Sequence, residues 1–131
     1  MRLSYKLWLD CRGRAFGDGP ARLLEGVEQA GSLRKAAAEL GMSYNKAWRI
    51  LHAAEQRLGF PLLDRSVGGS LGGGSHLTPQ ALDLLKRYRA VMIDAEIALD
   101  EVFAKHFADW EDPEPSEPAD TQTGEAPGEE S

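Results

Sequence analysis

The stretch from Ser32 to Leu58 constrains this chain more than any other, because it spells two helices joined by a tight corner. Ser32 is placed to cap the first helix, its hydroxyl accepting one of the backbone N–H groups left unpaired at a helix start. Leu33, Ala36, Ala37 and Leu40 then recur at helical spacing. Gly41 ends that helix, since glycine takes the positive φ that a helix C-terminus often needs. Met42 is an apolar plug, and Ser43 caps the second helix. Ala37 is small where crossed helices must approach closely, and Ala47 and Ile50 fall on the inward side of the second helix. A glycine turn between two steeply crossed helices is the DNA-reading arrangement, the helix-turn-helix. An ordinary αα-hairpin in a helical bundle is the other fold the pattern allows.

At 100° per residue with Ala47 at zero, Ile50, Leu51, Ala54 and Leu58 lie within about 60° of it and predict a buried stripe. Asn45, Arg49, His52 and Gln56 fall on the opposite side, between roughly 140° and 200°. Lys46 sits on one flank, and Tyr44 and Trp48 on the other. A row of amide, guanidinium and imidazole suits base edges, because arginine pairs with guanine and asparagine or glutamine with adenine. A solvated helix face has the same composition.

The remaining chain supplies the parts of a winged helix. Leu3, Tyr5, Leu7, Leu9 and Cys11 alternate with polar residues and Trp8, which predicts a half-buried strand. Arg12-Gly13 reads as its turn and Arg14–Phe16 as the return strand. A first helix follows, with Asp18 or Gly19 as cap, Pro20 in its first turn, and Leu23, Leu24, Val27 and Ala30 inward. Beyond the helix pair, residues 62–65 and 75–78 read as a hairpin around a loop with Gly68, Gly69, Gly72, Gly73 and Gly74. A hairpin just after a recognition helix is a wing, and its glycines allow close backbone approach to a phosphate or a minor groove. These glycines lack the Lys-Ser/Thr that a P-loop needs before its helix. Thr78 caps a long helix over 79–107, with Pro79 at its first position. Leu85, Tyr88, Met92, Ala95, Leu99 and Val102 on it step by three and four, a heptad seam that predicts a dimerisation helix. The chain's own first strand and helix are the other surface able to take part of that seam.

The formal charge of −6 argues at first against nucleic acid, but it comes from one end. Residues 108–131 hold nine of the 21 acids and no Lys or Arg, which leaves 15 basic against 12 acidic groups, net +3, in residues 1–107. A mildly basic body suits phosphate. The acidic, proline-rich tail lacks the apolar residues to offset its ordering entropy and is expected to be disordered. The single Cys11 excludes an internal disulfide, leaves no cysteine zinc site and reads as a packed thiol in a reducing cytoplasm. His52, His76 and His106 lack metal-ligand spacing, and there is no nucleophile motif, so neither metal, cofactor nor enzymatic activity is expected. No apolar run reaches membrane-spanning length.

The block Gly31-Ser32-Leu33, Ala36-Ala37, Met42-Ser43-Tyr44, Ala47-Trp48, then Gly68-Gly69 and Gly72-Gly73-Gly74 closing on Leu77-Thr78, resembles the N-terminal winged-helix domain of ModE-type molybdate-responsive regulators. The likeness covers roughly residues 3–105. LysR-type regulators share its Gly-Ser-Leu, Ala-Ala, Leu-Gly and Pro-Leu-Leu-x-Arg elements. It implies a dimeric winged helix whose helix from Ser43 enters the major groove, and a link to molybdate metabolism. ModE regulators continue into C-terminal molybdate-binding domains, where this chain runs into its acidic tail.

These readings converge on a mainly α fold: a winged helix-turn-helix with an N-terminal β-hairpin, a β-wing and a long C-terminal dimerisation helix, over residues 1–107, followed by a disordered acidic tail over 108–131. The expected function is sequence-specific regulation of transcription by a cytoplasmic homodimer bound to double-stranded DNA. Asn45, Arg49 and His52 are expected to read bases, with Ser43, Tyr44 and Lys46 at the groove edge. Arg34 and Lys35 from the preceding helix, and Arg65, Ser70, Ser75 and His76 from the wing, are expected to touch phosphates. Two other readings stand beside this one. One is an interaction module whose long helix pairs with a full-length regulator and modulates it. The other is a small-ligand sensor using the crevice beside that helix.

Overall fold

The computed structural model describes residues 1–64 and 74–115. Arg65, Ser70, Gly68, Gly69, Gly72, Gly73 and the tail from residue 116 lie outside the described residues. The elements run β1 (Leu9–Asp10), β2 (Arg14–Phe16), α1 (Asp18–Ala30), α2 (Leu33–Glu39), α3 (Tyr44–Leu58), β3 (Leu63–Asp64), β4 (His76–Leu77) and α4 (Pro79–Phe107).

Local chemistry sets the helix ends. The hydroxyl oxygens of Ser32, Ser43 and Thr78 accept the backbone N–H groups of Lys35, Lys46 and Ala81 at 3.0–3.1 Å, so each expected cap forms. Gly41 has φ +74°, and the Met42 N–H donates back to the Ala37 carbonyl at 3.0 Å, which closes the corner between α2 and α3. Leu23, Leu24 and Val27 of α1, Leu33, Ala36 and Ala37 of α2, and Ala47, Leu51 and Ala54 of α3 are buried together. Gly26 lets α1 cross closely over α2, for a Cβ there would lie 2.8 Å from the Cβ of Ala36.

The N-terminal strand is much shorter than its alternation predicts. Only Leu9 and Asp10 pair with β2, with a register shift between them, and among the described residues no strand lies opposite residues 3–8. That segment runs beside α4 instead. The Tyr5 phenol has its pKa raised, first by partial loss of hydration and then by Glu96 and Asp100 of α4. Cys11 is half-buried rather than sealed in the core. Trp8 covers the start of α1, where a Cβ on Gly17 would fall 2.2 Å from its ring. Gly17, and not Asp18 or Gly19, occupies the cap position of α1, and Asp18 is already in the first helical turn. With no side chain, Gly17 leaves the first N–H groups without a side-chain acceptor, and Asp18 complements the helix dipole instead.

The wing base is β3 paired with β4, with Leu63 opposite Leu77 and Asp64 opposite His76. It is tied down on two sides. The Ser75 N–H donates to the Gly31 carbonyl (3.0 Å), and the Thr78 hydroxyl donates to the Pro61 carbonyl (2.8 Å). From there α4 starts inside the fold. Ala81, Leu85 and Tyr88 are buried, and the Tyr88 ring meets Phe16 edge-on at 5.2 Å. Arg89 reaches Glu25 (3.0 Å) and Glu28 (3.6 Å) on α1, an exposed network worth about 0–1 kcal/mol per pair.

The heptad seam therefore divides. Leu85 and Tyr88 serve this chain's own core, because α4 lies across α1 and β2 there. Met92, Ala95 and Leu99 are half-buried, and Val102 is 51% exposed. Past Phe107 the chain has no regular element through residue 115, yet its start is held. The Trp110 indole N–H donates to Asp112 (3.1 Å), and the Met1 ammonium pairs with the same carboxylate.

Candidate nucleic-acid interface

On α3 the buried stripe is made of Ala47, Leu51 and Ala54, with Ile50 and Leu58 half-buried at its edges. Alanines on that stripe let the helix seat closely, and its far side is free. Asn45, Lys46, Arg49, His52 and Gln56 are all exposed. His52 stacks on Trp48, with centroids 4.5 Å apart and planes 12° apart, and its Nδ1 lies 3.9 Å from Glu55. Trp48 thus fixes where the imidazole stands. Among the described residues Arg49 has neither a side-chain hydrogen bond nor an ion pair.

Glu55, the only carboxylate on α3, stands at the edge of that face, with Oε1 toward His52. Its Oε2 accepts the Leu62 N–H at 2.7 Å, which joins α3 to the strand entering the wing. Arg34 of α2 lies with its guanidinium 4.5 Å from the Tyr44 ring centre, a cation–π contact that leaves donors outward. Tyr44 is half-buried beneath it. Lys35 is exposed on α2, and Ser43 spends its acceptor on the cap.

The structure thus brings together Arg34, Lys35, Ser43, Tyr44, Asn45, Lys46, Arg49 and His52 around the start of α3. It places the exposed His76 at the wing base. Ser75 does not join them. It is 8% exposed, because its strand is bonded against Gly31 at the end of α1. Helical periodicity did not point to Arg12, Arg14 and Arg57, three exposed arginines gathered where the β1–β2 hairpin meets the flank of α3. The only hint in the sequence is the pair of arginines bracketing Gly13. Among the described residues there is no grouping of His, Cys, Asp and Glu able to hold a metal ion, and no helix is long and apolar enough to cross a membrane.

A capped α2–glycine–α3 corner with an outward polar face, followed by a two-strand wing and a long helix, defines a winged helix-turn-helix. Residues 21–82 match the family described as bacterial regulatory helix-turn-helix protein, lysR family. Among its relatives are the molybdenum transport protein ModE of Azotobacter vinelandii (38% identical over 88 residues, 67% of this chain and 33% of that protein) and the DNA-binding transcriptional dual regulator ModE of Escherichia coli K12 (32% over 90 residues, 67% and 34%). The chain spans about a third of the length of these curated relatives. Its fold is similar to that in the crystal structure of the CbnR_DBD–DNA complex, with TM-score 0.52 and 28% identity, over 66% of this chain and 93% of that one. It is likewise similar to full-length CbnR complexed with its target DNA (TM-score 0.52, 28% identity, covering 65% and 28%).

Proposed function

We propose that this chain is a sequence-specific DNA-binding regulator of transcription that acts in the cytoplasm as a homodimer on a pseudo-palindromic site. The observation that carries the reading is the exposed face of α3, where Asn45, Arg49 and His52 stand clear of the core and Arg49 lacks an acidic partner among the described residues. Asn45 and Arg49 supply the donor and acceptor groups that read adenine and guanine edges. Arg34, Lys35 and Lys46 supply phosphate contacts beside them, and His76 does so from the wing base. Ser75 drops out because it is buried. Arg65 and Ser70 keep their proposed wing contacts on sequence grounds alone. The relatives named for molybdenum transport support a link to molybdate metabolism.

Dimerisation by α4 draws on its distal half, where Ile93, Ile97 and Val102 are each more than half exposed. A helix carrying such residues all round its surface is ordinarily covered in its working assembly. The same half would serve pairing with a full-length regulator, and size exclusion with and without DNA separates the two readings. A homodimer that shifts on adding duplex supports the first, and a monomer that shifts only with a full-length regulator supports the second.

The decisive test starts from duplexes selected from a random pool by the wild-type protein. Arg49→Ala is expected to weaken binding to the selected duplex by about 1–3 kcal/mol, with a smaller effect on random sequence. Equal losses on both, measured by electrophoretic titration, would show that Arg49 does not read bases.

A further inference from the structure

The hairpin side of α3 carries cations that the base-reading face does not use. Arg57 Nη1 donates to the Arg12 carbonyl at 2.5 Å, and Arg12 Nη2 donates to the Arg57 carbonyl at 3.2 Å. On the same flank of α3, by Ile50 and Ala53, the Arg14 guanidinium lies 4.0 Å from the centre of the Trp8 ring. None of the three has an ion-pair partner among the described residues. The neighbouring Asp10 is turned to the Gly13 N–H at 3.4 Å. Crossed carbonyl bonds and an aromatic stack orient the guanidinium groups without neutralising them. Like charges brought onto one turn repel, and an anion relieves that repulsion. Each arginine has five N–H donors, so the bonds described leave several facing outward.

The position of this cluster on α3 indicates which anion it meets. Measured from Ala47, Glu55 and its bond to the wing strand lie at about 80°, and the reading face centres near 170°. Ile50, Ala53 and Arg57, which face the hairpin, lie at about 240–300°. The wing and the hairpin therefore flank the reading face on opposite sides. A helix seated in a groove has a phosphate backbone on each rim.

We propose that Arg12, Arg14 and Arg57 form a second phosphate-binding site, so that the hairpin grips the DNA backbone on the rim opposite the wing. This deepens the DNA-binding reading and rests on it. The lone acid of α3 lies on the wing side, so the hairpin rim carries three arginines against the single carboxylate of Asp10, with Lys46 continuing the positive charge toward the start of the helix.

The test is the salt dependence of binding to a fluorescein-labelled random-sequence duplex several helical turns long, read by anisotropy. Each phosphate contact contributes about 0.9 to the slope of log K against log salt. The double variant Arg14→Gln/Arg57→Gln is expected to flatten that slope by roughly 2, and Arg14→Gln alone by roughly 1. Arg14→Lys keeps the charge and should keep the wild-type slope, which a merely structural role for Arg14 at Trp8 would not predict. If the double variant melts early, the single Arg14→Gln comparison decides, since Arg14 bonds no backbone group among the described residues. An unchanged slope for Arg14→Gln, in a protein that still binds and melts like wild type, overturns the hairpin site alone. Wild-type protein that shows no salt-dependent binding overturns the DNA-binding reading itself.

Discussion

Gly26 gives two opposing effects whose balance the structure decides. In an exposed helix interior, glycine to alanine gains about 1 kcal/mol from propensity. Here the added methyl would stand 2.8 Å from the Cβ of Ala36 and 3.4 Å from its Cα. Carbon atoms in good contact sit about 3.5–4.0 Å apart, so α1 and α2 must separate by about 1 Å. Ala36 cannot turn aside. It is 0% exposed, and Leu33 and Ala37 on the same short helix are buried with it. Overpacking of this kind costs about 1–3 kcal/mol, so Gly26→Ala is expected to lose about 1 kcal/mol net. For a domain of this size that lowers Tm by about 4–8 °C. The assay is thermal and urea unfolding followed by circular dichroism, with Ala36→Gly as the second arm. In the Ala36→Gly background the clashing methyl is gone, and Gly26→Ala should then stabilise by about 1 kcal/mol. A rise in Tm for Gly26→Ala in the wild-type background would refute the close crossing of α1 over α2.

Three further outcomes follow from the same geometry. Glu55→Ala leaves the part-buried Leu62 N–H without its acceptor and should cost about 1–3 kcal/mol in urea unfolding, whereas Glu55→Gln, which still accepts, should cost less; equal costs would sink the idea. At Gly41 a Cβ meets nothing within 4 Å, so Gly41→Ala tests the positive φ alone and should lose about 1–2 kcal/mol; a neutral result would show that the corner relaxes. The Tyr88 phenol has its pKa raised above 10.0, first by burial and then by Asp18 and Glu25. A raised folded pKa favours the neutral phenol, so its contribution is full below the unfolded value and is lost as pH rises through the folded one. Stability should accordingly fall less in alkali for Tyr88→Phe than for wild type, and parallel urea midpoints at neutral and alkaline pH would contradict this.

How legible each part was depends on how local its cause is. Ser32, Ser43 and Thr78 bond N–H groups three residues away, so their caps are written in the chain itself. The outward face of α3 follows from helical angle once Ala47, Leu51 and Ala54 mark the inside. Alternation at Leu3–Cys11 shows which side chains share a face but not whether a strand lies alongside. β2 ends after three residues, so most of that pattern never becomes sheet. The heptad steps of α4 have the same ambiguity. A seam packed on its own chain and a seam packed on a partner have one spacing, and Leu85 and Tyr88 proved to be the former. Gly26 looks like a mild defect in α1 until α2 is laid across it. The hairpin arginines were hidden for the same reason, since Arg12 and Arg57 meet across 45 residues of sequence.

Charge shows most clearly why a chain with net −6 can face a polyanion. Every arginine on α1 and α4 is ion-paired: Arg22 with Asp18, Arg87 with Asp83, and Arg89 with Glu25 and Glu28. Among the described residues, no arginine on the hairpin, α2 or α3 is paired, which leaves Arg12, Arg14, Arg34, Arg49 and Arg57 uncompensated. A phosphate at the surface responds to charges within about 8–10 Å at ordinary salt, not to the sum over the molecule. Pairing the acids on the α1–α4 side therefore does two things at once. It fastens the long helix to the core, and it leaves the α2–α3 side with five basic residues, Arg34, Lys35, Lys46, Arg49 and Arg57, against Glu39 and Glu55. The net charge misleads because residues 1–107 are net +3 and all of the excess acid, nine carboxylates without a Lys or Arg, lies in residues 108–131.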